Sequence, residues 1–231
     1  MKMTLRYMII CPIFMFTSSF YASSQVVNPA KDLPLEVSKT KGSLEVLVLY
    51  LTGDGGWNDF NQQMTQQFEK KGYGMVALNT RKYFWDEKSP QVFANDMEHL
   101  CNYYMKAWGK SSLIIVGYSF GADVGIFLPR FLSANLQQKI SRMVLISPSA
   151  STDFEIKLSD MVGENENLSR KYKLEPEIAK NKLPLICIFG DSEELRLKNS
   201  LKSNKNLTTH ILPGDHRYNN NFDLLLKTIV Q

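Results

Sequence analysis

Cysteine and histidine are scarce in this sequence, with three of each in 231 residues. No Cys/His cluster has metal-ligand spacing, so neither a metal site nor a cofactor is expected. No lysine–arginine stripe runs along the chain, which argues against a nucleic-acid partner. There is no internal repeat and no long low-complexity tract. The N-terminal apolar run, Tyr7–Phe16, has ten residues and is interrupted by Pro12. That is too short for a bilayer span, which takes roughly 20 residues.

What is present is ordinary for a globular protein: 44% hydrophobic and 22% charged residues, enough chain for one domain with a sizeable core. The formal charge is +4, from 27 basic and 23 acidic residues. Residues 1–24 read as a secretory signal peptide: Lys2 and Arg6 form the basic start, and Ala22-Ser23-Ser24 offers a small-residue cleavage site before Gln25. Without Lys2 and Arg6 the balance is 25 against 23, a net of +2. Cys11 lies inside the apolar run, so it is not a lipid-modified cysteine at the cleavage point. The expectation is an exported, periplasmic protein with a single domain over 25–231. Cys101 and Cys187 then remain, either as two buried thiols or, in an oxidising compartment, as a pair.

The strongest local signal is Gly117-Tyr118-Ser119-Phe120-Gly121. An apolar run, Leu113–Val116, leads into it and an amphipathic stretch leaves it, the strand–turn–helix setting of a nucleophile elbow. The pattern alone arises by chance in roughly one chain in ten of this length, so its weight rests on context. Leu44–Leu51, Gly74–Leu78, Arg142–Ser147 and Leu185–Gly190 read as buried strands, and Leu207–Leu212 as a more polar last one. Helices are expected from about Asp59 to Lys71 with Asn58 as cap, from Ser89-Pro90 to Gly109, and over Phe222–Val230. A short edge strand is expected near Leu35–Val37. Strands alternating with helices indicate a mostly parallel central sheet flanked by helices, an α/β-hydrolase fold. The polar stretch 148–182 breaks the rhythm. It is expected to sit over the strand ends as a small cap, or, for its middle (163–170), to be a disordered surface insertion.

A serine needs a base and an acid to become a nucleophile. His99 falls within a helix and His210 within the last strand, whereas His216 follows that strand in Leu212-Pro213-Gly214-Asp215-His216. It is the expected base for Ser119. The acid should follow the preceding strand, where Gly190-Asp191-Ser192-Glu193-Glu194 stands. A G-x-x-D-like spacing favours Glu193; Asp191 is the close rival and Glu194 the third choice. Two backbone N–H groups should form the oxyanion hole: that of Phe120 and one from the glycine-rich loop Gly53-Asp54-Gly55-Gly56. A carboxylate beside an oxyanion is unexpected. Asp54 is therefore expected to point away or to pair with a cation, and a substrate ammonium is the hypothesis.

Taken together, Thr52–Trp57 (TGDGGW), Tyr83-Phe84-Trp85 before Ser89-Pro90, Gly117–Val124 (GYSFGADV), Ile146-Ser147-Pro148 with Asp153-Phe154-Glu155, and Leu212-Pro213-Gly214-x-His216 resemble the VirJ/AcvB family of exported bacterial α/β-hydrolase proteins. Asp215 and Arg217 around His216 depart from the more typical G-H-H. For AcvB-type members the resemblance implies hydrolysis of aminoacyl-phosphatidylglycerol (lysyl or alanyl) in the periplasm. VirJ-type members are associated instead with type IV secretion and virulence, which implies secretion-system partners. A general carboxylesterase or lipase, acting on another ester at the membrane surface, is the remaining alternative. Tyr83, Phe84 and Trp85 are expected to line the pocket, touch lipid or serve as packing.

Overall fold

The computed structural model describes residues 32–39, 42, 44–157 and 166–231. The expected leader and residues 163–165 of the cap's middle lie outside the described residues. Seven strands form the main sheet: β1 (Leu35–Ser38), β2 (Val46–Leu51), β3 (Gly74–Leu78), β4 (Ser112–Tyr118), β5 (Ile140–Ile146), β8 (Leu185–Gly190) and β9 (Leu207–Leu212). Their order is β1-β3-β2-β4-β5-β8-β9, parallel throughout except for β1, which runs antiparallel to β3 at one edge. The chain goes from β2 outward to β3 and then crosses back to β4 on β2's other side. That reversal leaves a crevice at the carboxyl ends of β2 and β4, the place where sheets of this kind bind ligands.

The alternation of side chains along each strand divides the core into two layers. Leu47, Leu49, Leu51, Leu113 and Ile115 face α3 (Pro90–Trp108). Val48, Tyr50, Ile114, Val116 and Tyr118 face α1 (Asp59–Lys70) and α9 (Phe222–Val230). The helix ends follow local chemistry. Asn58 caps α1 by accepting from Asn61 N–H, and Ser89 caps α3 by accepting from Val92 N–H. Gly109 ends α3 in the left-handed conformation, at φ 63°. A single turn, α2 (Thr80–Tyr83), follows β3, capped by Asn79.

One feature differs from the sequence expectation. The stretch after the elbow is not one amphipathic helix but three short ones: α4 (Phe120–Gly125), α5 (Leu128–Phe131) and α6 (Ala134–Gln137). Every residue of α4 is buried, and Gly125 and Pro129 mark the weak points at which the helix gives way. The polar stretch after β5 is anchored in its described parts. Within it, β6 (Ser151–Thr152) pairs with β7 (Tyr172–Lys173) and α7 (Leu174–Lys180) follows; beyond it, α8 (Arg196–Ser200) comes after β8. Phe154 is buried among the rings of Phe84, Phe93, Phe127 and Tyr172. Tyr83 and Phe84 are thus packing residues, while Trp85 is exposed.

Cys101 on α3 and Cys187 on β8 are both buried free thiols, so the paired alternative is not what the structure holds. Burial pushes each thiol up to about 12. Both are expected to resist a thiol reagent such as DTNB in the native protein and to react fully after unfolding. A reductant should leave the thermal midpoint unchanged.

Candidate active site

Ser119 ends β4 with φ 52° and ψ −122°, a backbone conformation costing of the order of 1–3 kcal/mol for a non-glycine residue. The glycines two positions either side allow it. A Cβ at Gly117 would lie 2.6 Å from the Cα and N of Ala122, and one at Gly121 would collide with the carbonyls of Leu51 and Thr52. Ser119 N–H donates to Ile146 O at 2.8 Å, and its own carbonyl accepts from Ala122 and Asp123 at the start of α4. Ser119 lines a cleft of about 450 Å³ that His216 and Glu193 also line.

His216 Nδ1 donates to Glu193 Oε1 at 2.6 Å. The second carboxylate oxygen, Oε2, accepts from Gly190 N–H at 2.6 Å and from the Ser147 hydroxyl at 3.0 Å. Glu193 is only 8% exposed, so these donors stand in for the water it has lost. Ser147, itself at φ 52°, has the Tyr218 hydroxyl 2.6 Å from its oxygen. The Tyr218 hydroxyl also donates to Ile188 O at 3.0 Å, so Ser147 and Tyr218 form one hydrogen-bonded group behind Glu193. Burial first, and then the Glu193 charge, hold the Tyr218 phenol well above its ordinary range. Below the turn, Lys198 Nζ donates to the carbonyls of Gly190 (3.1 Å), Asp191 (2.6 Å) and Glu193 (2.5 Å). On the histidine side, the Tyr118 hydroxyl holds His216 O at 3.0 Å.

The rival carboxylates are placed elsewhere. Asp191 is exposed and spends Oδ1 on Gly214 N–H (2.9 Å) and the Ser192 hydroxyl (3.0 Å). The Gly214 bond is the main reason its carboxyl is held below the usual range. It ties the two loops together without touching the imidazole. Glu194 lines the cleft from an exposed position. His99 and His210 are not among the residues lining the cleft.

In the glycine-rich loop, Gly53 O accepts from Gly56 N–H and the Thr80 hydroxyl, each at 3.0 Å. The trans peptide then turns the Asp54 N–H the opposite way. Asp54 is the residue of this loop that lines the cleft, and Gly53 and Gly55 do not. Phe120, as first residue of α4, has no intrahelical acceptor for its N–H. These two amides, from Asp54 and Phe120, are the candidate oxyanion donors.

Charge dominates the lining. Among the described residues, seven carboxylates border the cleft, against Lys157, Arg170 and His216, and the apolar side chains are Phe120, Ile156 and Leu195. Among the described residues, no cation pairs with Asp54 and no group of acids, histidines and cysteines is arranged to hold a metal ion. Asp123 was not foreseen as a site residue, although it lies inside GYSFGADV. Burial pushes its carboxyl up to about 7, against hydrogen bonds from Ser149. Arg170 lowers it electrostatically and Glu166 raises it. Ser147 and Tyr218 were not foreseen either, because both act through contacts far apart in sequence.

The sequence matches the family described as bacterial virulence protein (VirJ) over residues 45–231. The chain belongs to the VirJ family. No curated protein matches it. Among solved structures it is similar in fold to MenH from S. aureus (TM-score 0.60, 12% identity, 85% of this chain and 97% of that one). Est1E from Butyrivibrio proteoclasticus is comparable (0.57, 14%, 85% and 93%). So is a lipase-esterase related protein from Clostridium acetobutylicum (0.56, 13%, 85% and 100%). At these identities the likeness establishes the α/β-hydrolase fold for this VirJ-family chain.

Two outcomes follow from the geometry. Glu193→Gln should lower kcat on p-nitrophenyl acetate by about 10²–10⁴-fold, since an amide cannot stabilise the imidazolium in the same way. Asp191→Asn should cost less than about threefold, the scale of a surface hydrogen bond. Asp123 provides the second outcome. Its folded carboxyl titrates above the unfolded value of 3.8, so the folded state holds the proton more tightly, and stability from this group is lost as pH rises through about 7. The difference in thermal midpoint between Asp123→Asn and wild type should therefore move in the variant's favour between about pH 4 and pH 8, and level off above that.

Proposed function

We propose that this protein is an exported serine hydrolase that cleaves the ester bond of aminoacyl-phosphatidylglycerol, releasing lysine or alanine from the lipid headgroup. The observation that carries the reading is the 2.6 Å pairing of His216 with a buried Glu193 at the cleft that holds Ser119. In this scheme Ser119 Oγ attacks the ester carbonyl as its proton passes to His216 Nε2. Glu193 stabilises the resulting imidazolium, and the amides of Phe120 and Asp54 receive the oxyanion. The glycerol oxygen leaves with the proton from His216. Water, deprotonated by the same imidazole, then frees the amino acid from the aminoacyl-serine.

The character of the cleft supports a polar acyl group. A fatty acyl chain needs an apolar channel, and among the described residues the lining offers three apolar side chains beside many charged ones. Asp54 supports an ammonium in particular. Its carboxylate would oppose the oxyanion that its own N–H binds, unless a cation offsets it. In an aminoacyl ester the α-ammonium sits on the carbon next to the carbonyl, within reach of the Asp54 side chain when the carbonyl oxygen rests on the Asp54 amide.

The test is a purified protein presented with vesicles containing lysyl- or alanyl-phosphatidylglycerol, with free amino acid measured by mass spectrometry. Wild type should release it and be labelled by a fluorophosphonate probe, and Ser119→Ala should do neither. Asp54→Asn should reduce the preference for amino-bearing over neutral esters about tenfold, or roughly 1.4 kcal/mol. Labelling without amino acid release, alongside hydrolysis of neutral esters, would instead make the protein a general carboxylesterase. A folded wild type that takes no label would point to a non-catalytic secretion accessory.

A further inference from the structure

Asp123 has no part in the steps above, yet it is 3% exposed and forms part of the same cleft wall. It lies one turn after Ser119 on α4, and both of its oxygens engage a single residue. Oδ1 accepts from Ser149 N–H at 2.7 Å and Oδ2 from the Ser149 hydroxyl at 2.5 Å. The hydroxyl also has Ser151 O at 3.1 Å, but its one proton favours the shorter bond to a charged acceptor. Burying a carboxylate costs far more than burying an amide of the same shape. Packing alone therefore does not account for an aspartate directed at a serine.

The course of the loop after β5 does account for it. Ser147-Pro148-Ser149-Ala150-Ser151 is tied at alternate residues to different parts of the site. Ser147 donates to Glu193, Ser149 to Asp123, and Ser151 Oγ to Asn167 O of the cap at 2.7 Å. Ala150 N–H meets Glu166, whose other oxygen accepts from Arg196 N–H at 3.0 Å. Ser147 is held at positive φ, which persists only where its surroundings enforce it. Pro148 has a nearly fixed φ, so an anchor at Ser149 is passed back to Ser147 through a stiff link.

We propose that Asp123 is a positioning residue: by clamping Ser149 to the nucleophile's own helix, it fixes the loop that aims Ser147 at Glu193 and carries the cap wall. The clamp makes one body of the element that presents Ser119 and the element that supports the acid. Its kinetic consequence rests on the reading of Ser119, His216 and Glu193 as the reacting groups, whereas the placing of Ser147 against Glu193 does not.

Two variants test it. Ser149→Ala removes the hydroxyl and leaves the N–H bond, and Asp123→Asn keeps the shape while removing one acceptor. Each is measured by thermal unfolding, by kcat and KM for p-nitrophenyl acetate, and by the downfield proton resonance of the His216–Glu193 hydrogen bond. Ser149→Ala should remain folded and lower kcat about fivefold, the worth of one ordinary hydrogen bond. KM should be unchanged and the resonance shifted or broadened, with Asp123→Asn giving a larger loss of the same kind. A folded Ser149→Ala with wild-type kcat and resonance overturns the proposal. So does an effect confined to KM, which would make Asp123 a substrate contact. If Asp123→Asn does not fold, Ser149→Ala decides alone. A wild type without esterase activity, whose resonance nevertheless moves in Ser149→Ala, would end the hydrolase reading and leave this inference standing.

Discussion

The close approach of α4 to the end of β2 is the constraint on which the site depends. Gly121 lies against the carbonyls of Leu51 and Thr52, so the nucleophile's helix starts directly beside the strand that precedes the glycine-rich loop. That contact does two things together. It forces the sharp turn in which Ser119 adopts a positive φ, and it brings the amides of Phe120 and Asp54 to the same cleft. The elbow and the glycine-rich loop are thus one geometric solution, and a side chain at position 121 would separate them. Thr80 reinforces it from the far side, donating to the carbonyl of Thr52 at 2.8 Å and of Gly53 at 3.0 Å.

A second constraint is electrostatic. A cleft bordered by seven carboxylates would repel itself unless most were occupied, and most are. Glu193 holds His216, Asp123 holds Ser149, Glu166 holds two backbone amides, and Glu155 lies 3.8 Å from Lys157. Asp215 accepts from Arg217 N–H at 2.8 Å. These bonds turn repulsion into scaffolding, since each acid binds a donor on a different element. Asp54 and Glu194 are the exceptions, and of the two it is Asp54 whose own amide is a candidate oxyanion donor. An acid left free where negative charge would develop is where the cleft's chemistry is least complete without a ligand.

How far the sequence revealed this depended on whether a feature was local. The strands were legible because continuous apolar runs such as VLVLYL (46–51) suit burial on both faces, and the strand starts where the run becomes unbroken, at Val46. The helix caps at Asn58 and Ser89 were legible because capping acts over three residues. Glu193 and Asp191 could not be separated by spacing alone. What distinguishes them is the turn in which Glu193 N–H returns to Gly190 O at 3.2 Å, folding the Glu193 side chain inward, while Asp191 reaches across to Gly214. Ser147, Tyr218 and Asp123 left no such trace. Their partners lie 26 to 71 residues away, and only the folded sheet brings them together. The break of the post-elbow helix at Gly125 also exceeded what periodicity could convey, because a fully buried helix has no polar face to mark its limits.

Those distant contacts bear on how the family's motifs should be understood. GYSFGADV and Ile146-Ser147-Pro148 are separate in sequence, but Asp123 of the first is bonded to Ser149, just beyond the second. Each therefore constrains the other. An aspartate at 123 is tolerable in a buried wall only where a loop supplies two donors. That loop can hold Ser147 in a strained conformation only if something anchors its next turn. The two strained serines, 119 and 147, stand at the ends of neighbouring parallel strands and are linked by the backbone bond from Ser119 N–H to Ile146 O. Strain at Ser119 and strain at the residue that supports Glu193 are thus borne by one interlocked pair of turns. This explains why residues that touch no substrate are part of the same motifs as the serine itself.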